Sequence, residues 1–173
     1  MPKPFPAALP VARIVLKLLV VLNWIYAAIV LAILAGLLSN PAWTMTALGF
    51  APADQAAALI TGVRLIALIG VAAVPLNLIV LRRLLEMIDT VRAGDPFVAR
   101  NAERLQAIAW AMLGQQILGL LVSLIAGVTS AKEHGLHVGA FSTGGWLAVI
   151  LLFVLARVFA EGADMRDDLA GTV

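Results

Sequence analysis

Cysteine is absent from the 173 residues, which excludes disulfides, thiolate metal sites and cysteine nucleophiles and leaves the redox compartment unmarked. Charge is scarce as well: 13% of residues are Asp, Glu, Lys or Arg, about half the share of an ordinary soluble domain. No acidic residue falls inside any of the long apolar runs, where a proton- or cation-coupled carrier usually needs one. A glycine-rich phosphate loop, an HExxH pair and a GxSxG elbow are all missing, and Ser39, Ser123, Ser130 and Ser142 have no suitable His and acid companions. Glu133, His134 and His137 resemble a metal cluster only in composition, because Gly135 disfavours the helix that would align them. The chain therefore reads as non-enzymatic, with no cofactor and no metal.

What is present is hydrocarbon. Apolar residues make up 62% of the chain and the mean hydropathy is +1.02, more than a water-soluble core of this size can hide. The apolar residues come in runs near the bilayer-spanning length of about 20. Spans are predicted at about 11–38, 56–82, 104–129 and 141–159. The first exceeds the apolar core of a signal peptide and is read as retained. Asn40-Pro41 closes it, and the Asn-Pro-Ala-Trp sequence that follows is suited to opening a short interfacial helix. Asp54 is the expected N-cap of the second span, and Pro75 falls inside that span, where it removes a backbone donor and predicts a kink.

The net charge of +2 and the pI near 9.5 suit a nucleic-acid binder, but the basic residues sit at the ends of the apolar runs, so orientation explains them better. Three lie before or near the start of the first span, five run from the end of the second to the start of the third, and two lie at or beyond the end of the fourth. Only Arg64 and Lys132 fall on the opposite side, which predicts that both termini face the cytoplasm. Past the second span, Leu81, Leu84, Leu85, Ile88 and Val91 keep helical spacing while Arg82, Arg83, Glu86 and Asp89 occupy another face. An amphipathic cytoplasmic extension follows. The fourth span extends similarly, with Glu161, Asp164, Asp167 and Asp168 flanking an apolar face. The predicted fold is all-α: a polytopic four-transmembrane-helix bundle forming a single membrane domain over residues 1–173.

Several side chains are out of place in lipid. Asn23, Asn77, Gln115 and Gln116 either line a polar path or hydrogen-bond between helices and set their packing. Arg64 is either a substrate or ion contact, or it snorkels to the outer headgroups with Asp54 as a partner. Small residues recur every fourth position at Ala28, Ala32 and Gly36 and at Gly119, Ser123 and Gly127, ridges expected first to serve contacts within the chain. On the cytoplasmic side, a basic loop over 82–104 and an acidic tail over 161–168 have opposite charge. They are either a mutual salt-bridge network with headgroup contacts or a docking surface for a soluble protein.

The segment Gly94, Asp95, Pro96 and Phe97, followed by Asn101, Arg104-Leu105 and Trp110, resembles the signature loop of a bacterial membrane family known as domain of unknown function 2975. The stretch LARVFAEG at 155–162, with Asp167-Asp168-Leu169 and the final Thr172-Val173, resembles the other end of that family. The resemblance implies four spans in the bacterial cytoplasmic (inner) membrane and no assigned catalysis. Many family members are encoded beside a small helix-turn-helix regulator, which implies a membrane protein that binds or sequesters a cytosolic transcription factor. Here Val98-Ala99-Arg100 replaces the usual acidic residue after the loop, and Ala170-Gly171 departs from the more polar tail. The candidate interaction residues are thus Arg82, Arg83, Gly94, Asp95, Pro96, Phe97 and Arg100. The expected partners are membrane lipid and another protein, either a cytosolic regulator or a membrane complex, with homo-oligomers a further expectation and no direct contact to nucleic acid.

Overall fold

The computed structural model describes residues 8–51, 56–92, 98–129 and 142–170. They form five helices, α1 Ala8–Ser39, α2 Pro41–Ala47, α3 Ala57–Arg92, α4 Ala99–Val128 and α5 Thr143–Ala170, and the described residues contain no strand. Four helices are long and apolar enough to cross a membrane, and only 11–17% of the most apolar window of each is buried inside the protein. Leu38, Leu124 and Leu151 stand 64–66% exposed. Apolar surface on this scale needs hydrocarbon around it.

The helices begin and end where local chemistry dictates. Asn40 leaves helical angles (φ −142°, ψ 81°), caps α2 by accepting from the Trp43 N–H at 3.2 Å, and is followed by Pro41 at the first helical position, where a missing donor costs nothing. At the other end of α2, Gly49 takes a positive φ of 95°. The Gly49 N–H donates to the Thr46 carbonyl and the Phe50 N–H to the Met45 carbonyl, each at 3.0 Å, closing a Schellman motif in which Phe50 packs back towards Met45. The short helix expected after Asn40-Pro41 is therefore present and closed at both ends.

Helix α3 runs unbroken through Pro75 for 36 residues, about 54 Å at 1.5 Å per residue, against a hydrocarbon core of about 30 Å. Its charged stretch from Arg82 onward remains helical to Arg92. Asp54 lies outside the described residues. Helix α4 starts at Ala99, after a non-helical Val98. It thus starts earlier than the span predicted from residue 104, and Asp95-Pro96 lies outside the described residues.

Two compact units divide the chain. One comprises Asn23–Pro75 and Gly114–Ser142. Its core gathers Leu37, Met45, Phe50, Leu59, Val63 and Ala126, with α2 supplying Met45. Close backbone approach here falls at Gly62, where an added Cβ would lie 2.8 Å from the Thr129 Cβ, and at Gly36, where it would lie 3.2 Å from the Thr44 Cγ2. The two ridges of small residues divide: Gly36 makes the expected contact within the chain, and other members do not. Ala28, Ala32 and Gly127 are exposed, and a Cβ built at Gly119 or Gly127 meets nothing within 4 Å among the described residues. The inward face of α1 is instead Asn23, Ala27, Val30 and Leu37, because α2 and α3 draw in the bulkier side chains that fill the core.

The other unit comprises Met1–Leu22, Leu76–Leu113 and Thr143–Val173. Its buried positions favour alanine: Ala102, Ala109, Ala111, Ala156 and Ala163. Small side chains let helices approach closely, which is the main source of association in lipid. Trp110 meets Phe153 edge-to-face, with ring centroids 5.2 Å apart at 83°.

Candidate functional site

Three of the five embedded polar side chains, Asn23, Arg64 and Gln116, turn to backbone oxygens. In the unit built on Asn23–Pro75 and Gly114–Ser142, an uninterrupted helix would pair the Leu37 carbonyl with the N–H of residue 41, but that residue is Pro41 and Asn40 has already left helical angles. Arg64 supplies the missing donors, its Nε at 3.1 Å and its Nη2 at 2.6 Å from the Leu37 oxygen. A cation at a helix C-terminus also suits the dipole. Arg64 is therefore a cap on the end of α1.

Asn23, 7% exposed, donates from Nδ2 to the Val74 carbonyl at 3.3 Å, one residue before Pro75. The carbonyl that Pro75 deprives of a donor is that of Val71, so Asn23 braces the neighbouring turn without replacing the lost bond. Gln116 donates to the Ser142 carbonyl at 3.3 Å, while Asn77 and Gln115 are half-buried and engaged. The apolar cavity of this unit, about 190 Å³, has Tyr26, Val30, Ile33, Val63 and Ile66 in its wall and none of these five polar residues.

In the other unit the end of α3 and the start of α4 are joined by a polar cluster. Glu86 stands at its centre. Arg83 donates from Nη1 to Glu86 Oε2 at 2.9 Å and Arg104 from Nε to the same oxygen at 3.0 Å. Arg104 also donates from Nη1 to Asn101 Oδ1 at 2.8 Å. Asn101, 1% exposed, donates from Nδ2 to the Thr90 hydroxyl at 2.9 Å, which itself donates to the Met87 carbonyl at 2.7 Å. Arg104 is 9% exposed, and a charge so deeply placed needs a counter-charge and further acceptors. Glu86 and Asn101 supply both. Glu86 lies beyond the apolar stretch of α3, and its carboxyl is held below the usual carboxylate range, first by the hydrogen bond from Arg83 and then by the charge of Arg83 and by Arg104, against an opposing push from burial.

Of the candidate interaction residues, Arg82, Arg83 and Arg100 are exposed. Gly94, Asp95, Pro96 and Phe97 lie outside the described residues. Asp89 pairs with Arg13 at 3.3 Å, and Arg157 with Glu161 at 2.7 Å, both partners exposed, an arrangement that adds little stability. Arg166, in the acidic tail, is engaged as well. Helices α4 and α5 border a groove of about 420 Å³, with Ala102, Gln106, Ala156 and Ala160 along it and Glu103, Arg157 and Asp164 as its charged members.

Sequence reasoning left Asn101, Arg104 and Thr90 out of the site. Their spacing carries a signal: Asn101 and Arg104 are three apart and Glu86 and Thr90 four apart, so each pair shares one helix face.

Four apolar helices, with Asn23, Arg64 and Gln116 turned to backbone oxygens and a cross-braced charged helix end, define a multi-pass helical membrane protein. The profile of the family described as "Protein of unknown function (DUF2975)" matches residues 41–173, from the start of α2 to the last residue, and the chain belongs to that family. No curated protein and no solved structure matches it.

Proposed function

We propose that this protein is a non-catalytic membrane partner that docks a cytosolic protein on the charged ends of α3 and α4, with both termini in the cytoplasm of a bacterial cell. The observation that carries this reading is the rigidity of that surface. Asn101, Arg104 and Glu86 lock two helix ends together, so Arg82, Arg83 and Arg100 are displayed from a preorganised frame, and preorganisation reduces the ordering cost of binding. The distribution of Lys and Arg supports the orientation. A helix-turn-helix regulator fits the family's usual gene neighbourhood.

Purification in mild detergent is the test. A soluble partner retained by the wild type and lost when Arg82, Arg83 and Arg100 are all changed to Glu supports the reading. Retention by the triple variant, or no stoichiometric partner at all, defeats it.

A second reading, an accessory subunit of a larger membrane complex or a homo-oligomer, draws on the outward-facing Ala28 and Ala32, which offer a close-packing surface to another helix. Cross-linking through a cysteine placed at position 28 or 32 tests it. A chain that stays monomeric in native membranes ends that reading.

A further inference from the structure

Beside the polar cluster, a cavity of about 380 Å³ is lined by Arg83, Glu86, Arg100, Glu103 and Arg104. Three guanidinium groups face two carboxylates, so the lining carries one excess positive charge. Glu86 is committed to Arg83 and Arg104. The Arg104 side chain is 10% exposed, and its Nε and Nη1 are occupied by Glu86 and Asn101. No described group accepts from its Nη2, which leaves a fixed, nearly buried donor at the cavity wall. Arg100 makes no ion pair among the described residues. Val98, just before α4, has no side-chain acceptor to cap the first N–H groups of that helix, and the positive end of the helix dipole adds to the same field.

We propose that this cavity binds a phosphate group bearing a hydroxyl, held by Arg100 and by the Nη2 of Arg104. The planar fork of Arg104, already oriented by Glu86 and Asn101, matches phosphate geometry. Glu103 sets the further requirement. Its carboxylate repels a bare oxyanion but accepts from a hydroxyl, whether the P–OH of hydrogen phosphate or the glycerol hydroxyl of phosphatidylglycerol. Both sources present the same chemistry. The cavity shares Arg83 and Arg100 with the docking surface, but phosphate binding is read with no other protein present, so its failure and the failure of docking are distinguishable.

Two probes distinguish the sources. Inorganic phosphate is titrated calorimetrically into the full chain in neutral detergent, against sodium chloride of equal ionic strength. Separately, the protein is released from phosphatidylcholine nanodiscs containing phosphatidylglycerol, and the retained lipid is read by native mass spectrometry. Saturable phosphate binding assigns a free anion, and retained phosphatidylglycerol displaced by phosphate assigns a lipid headgroup. In either case Arg100→Ala weakens binding roughly tenfold or more, the loss of one charge-assisted contact, whereas Arg82→Ala leaves it within about twofold, a shift well below that of one such contact. Arg100 makes no ion pair among the described residues, so this variant keeps the fold. Binding of neither probe by the wild type, or equal weakening by Arg82→Ala and Arg100→Ala, overturns the proposal.

Discussion

At Leu37 a backbone oxygen has lost its helical donor to Pro41, and a side chain 27 residues away replaces it. Hydrogen bonds from a charged donor contribute about 1.5–3 kcal/mol, so Arg64→Met should lower stability by about that much. Arg64→Lys, with one compact ammonium in place of a fork, should fall between it and the wild type. Thermal unfolding in detergent gives the ranking, and equal stability of the Met variant would show that the cap contributes nothing. Glycines divide just as sharply. Gly62→Ala drives a methyl into Thr129 and should cost about 1–3 kcal/mol, while Gly127→Ala, which meets open space among the described residues, should stay within about 0.5 kcal/mol of the wild type. The sequence marked Arg64 as anomalous because a cation in an apolar run is visible by residue type. Its acceptor was invisible, since a carbonyl orphaned by Pro41 leaves no trace in side-chain identity until the chain folds back.

Among the elements, the pairing of α3 with α4 rests on Asn101 as much as on any apolar contact. Truncation to Ala removes both the acceptor of Arg104 and the donor to Thr90, and leaving such groups unsatisfied costs about 1–3 kcal/mol. Asn101→Ala should therefore speed hydrogen exchange in the last turns of α3 and the first of α4, with little change near α2. Unchanged protection would mean that the cluster does not brace the helices. Acidity should act on the same joint. The carboxyl of Glu86 is lowered from 4.5, so its stabilising effect is fully present above that value and is lost as pH falls through the lower folded value. Glu86→Gln should abolish this acid-sensitive component when the same exchange is followed across pH. The helices themselves were legible from apolar length and from the 3.6-residue spacing that continues past Leu81. The start of α4 was placed too late because the apolar run begins only after Arg104, while the helix itself starts at Ala99. Of the small-residue ridges, Gly36 packs on Thr44 as expected while Ala28, Ala32 and Gly127 face outward, because spacing identifies a face without saying what lies against it.

For the whole molecule, membrane class and helix count follow from composition, because no other solvent accommodates this much apolar surface. The partner does not, because a charged helix end is equally consistent with headgroups, an anion or a protein. Orientation is open to direct measurement in a chain without cysteine. With both termini cytoplasmic, Lys132→Cys should react with a membrane-impermeant maleimide in intact cells and Arg92→Cys only after permeabilisation; the reverse pattern would invert the topology. Indole exposure has a practical consequence of another kind. Trp24, Trp43 and Trp110, three of the four tryptophans, are 56, 68 and 59% exposed, so the intrinsic emission of this protein gauges its surroundings more than its interior. Brominated acyl chains should quench it strongly in the native state, and a heating curve followed at the emission maximum would report loss of the lipid or detergent shell before it reported unfolding.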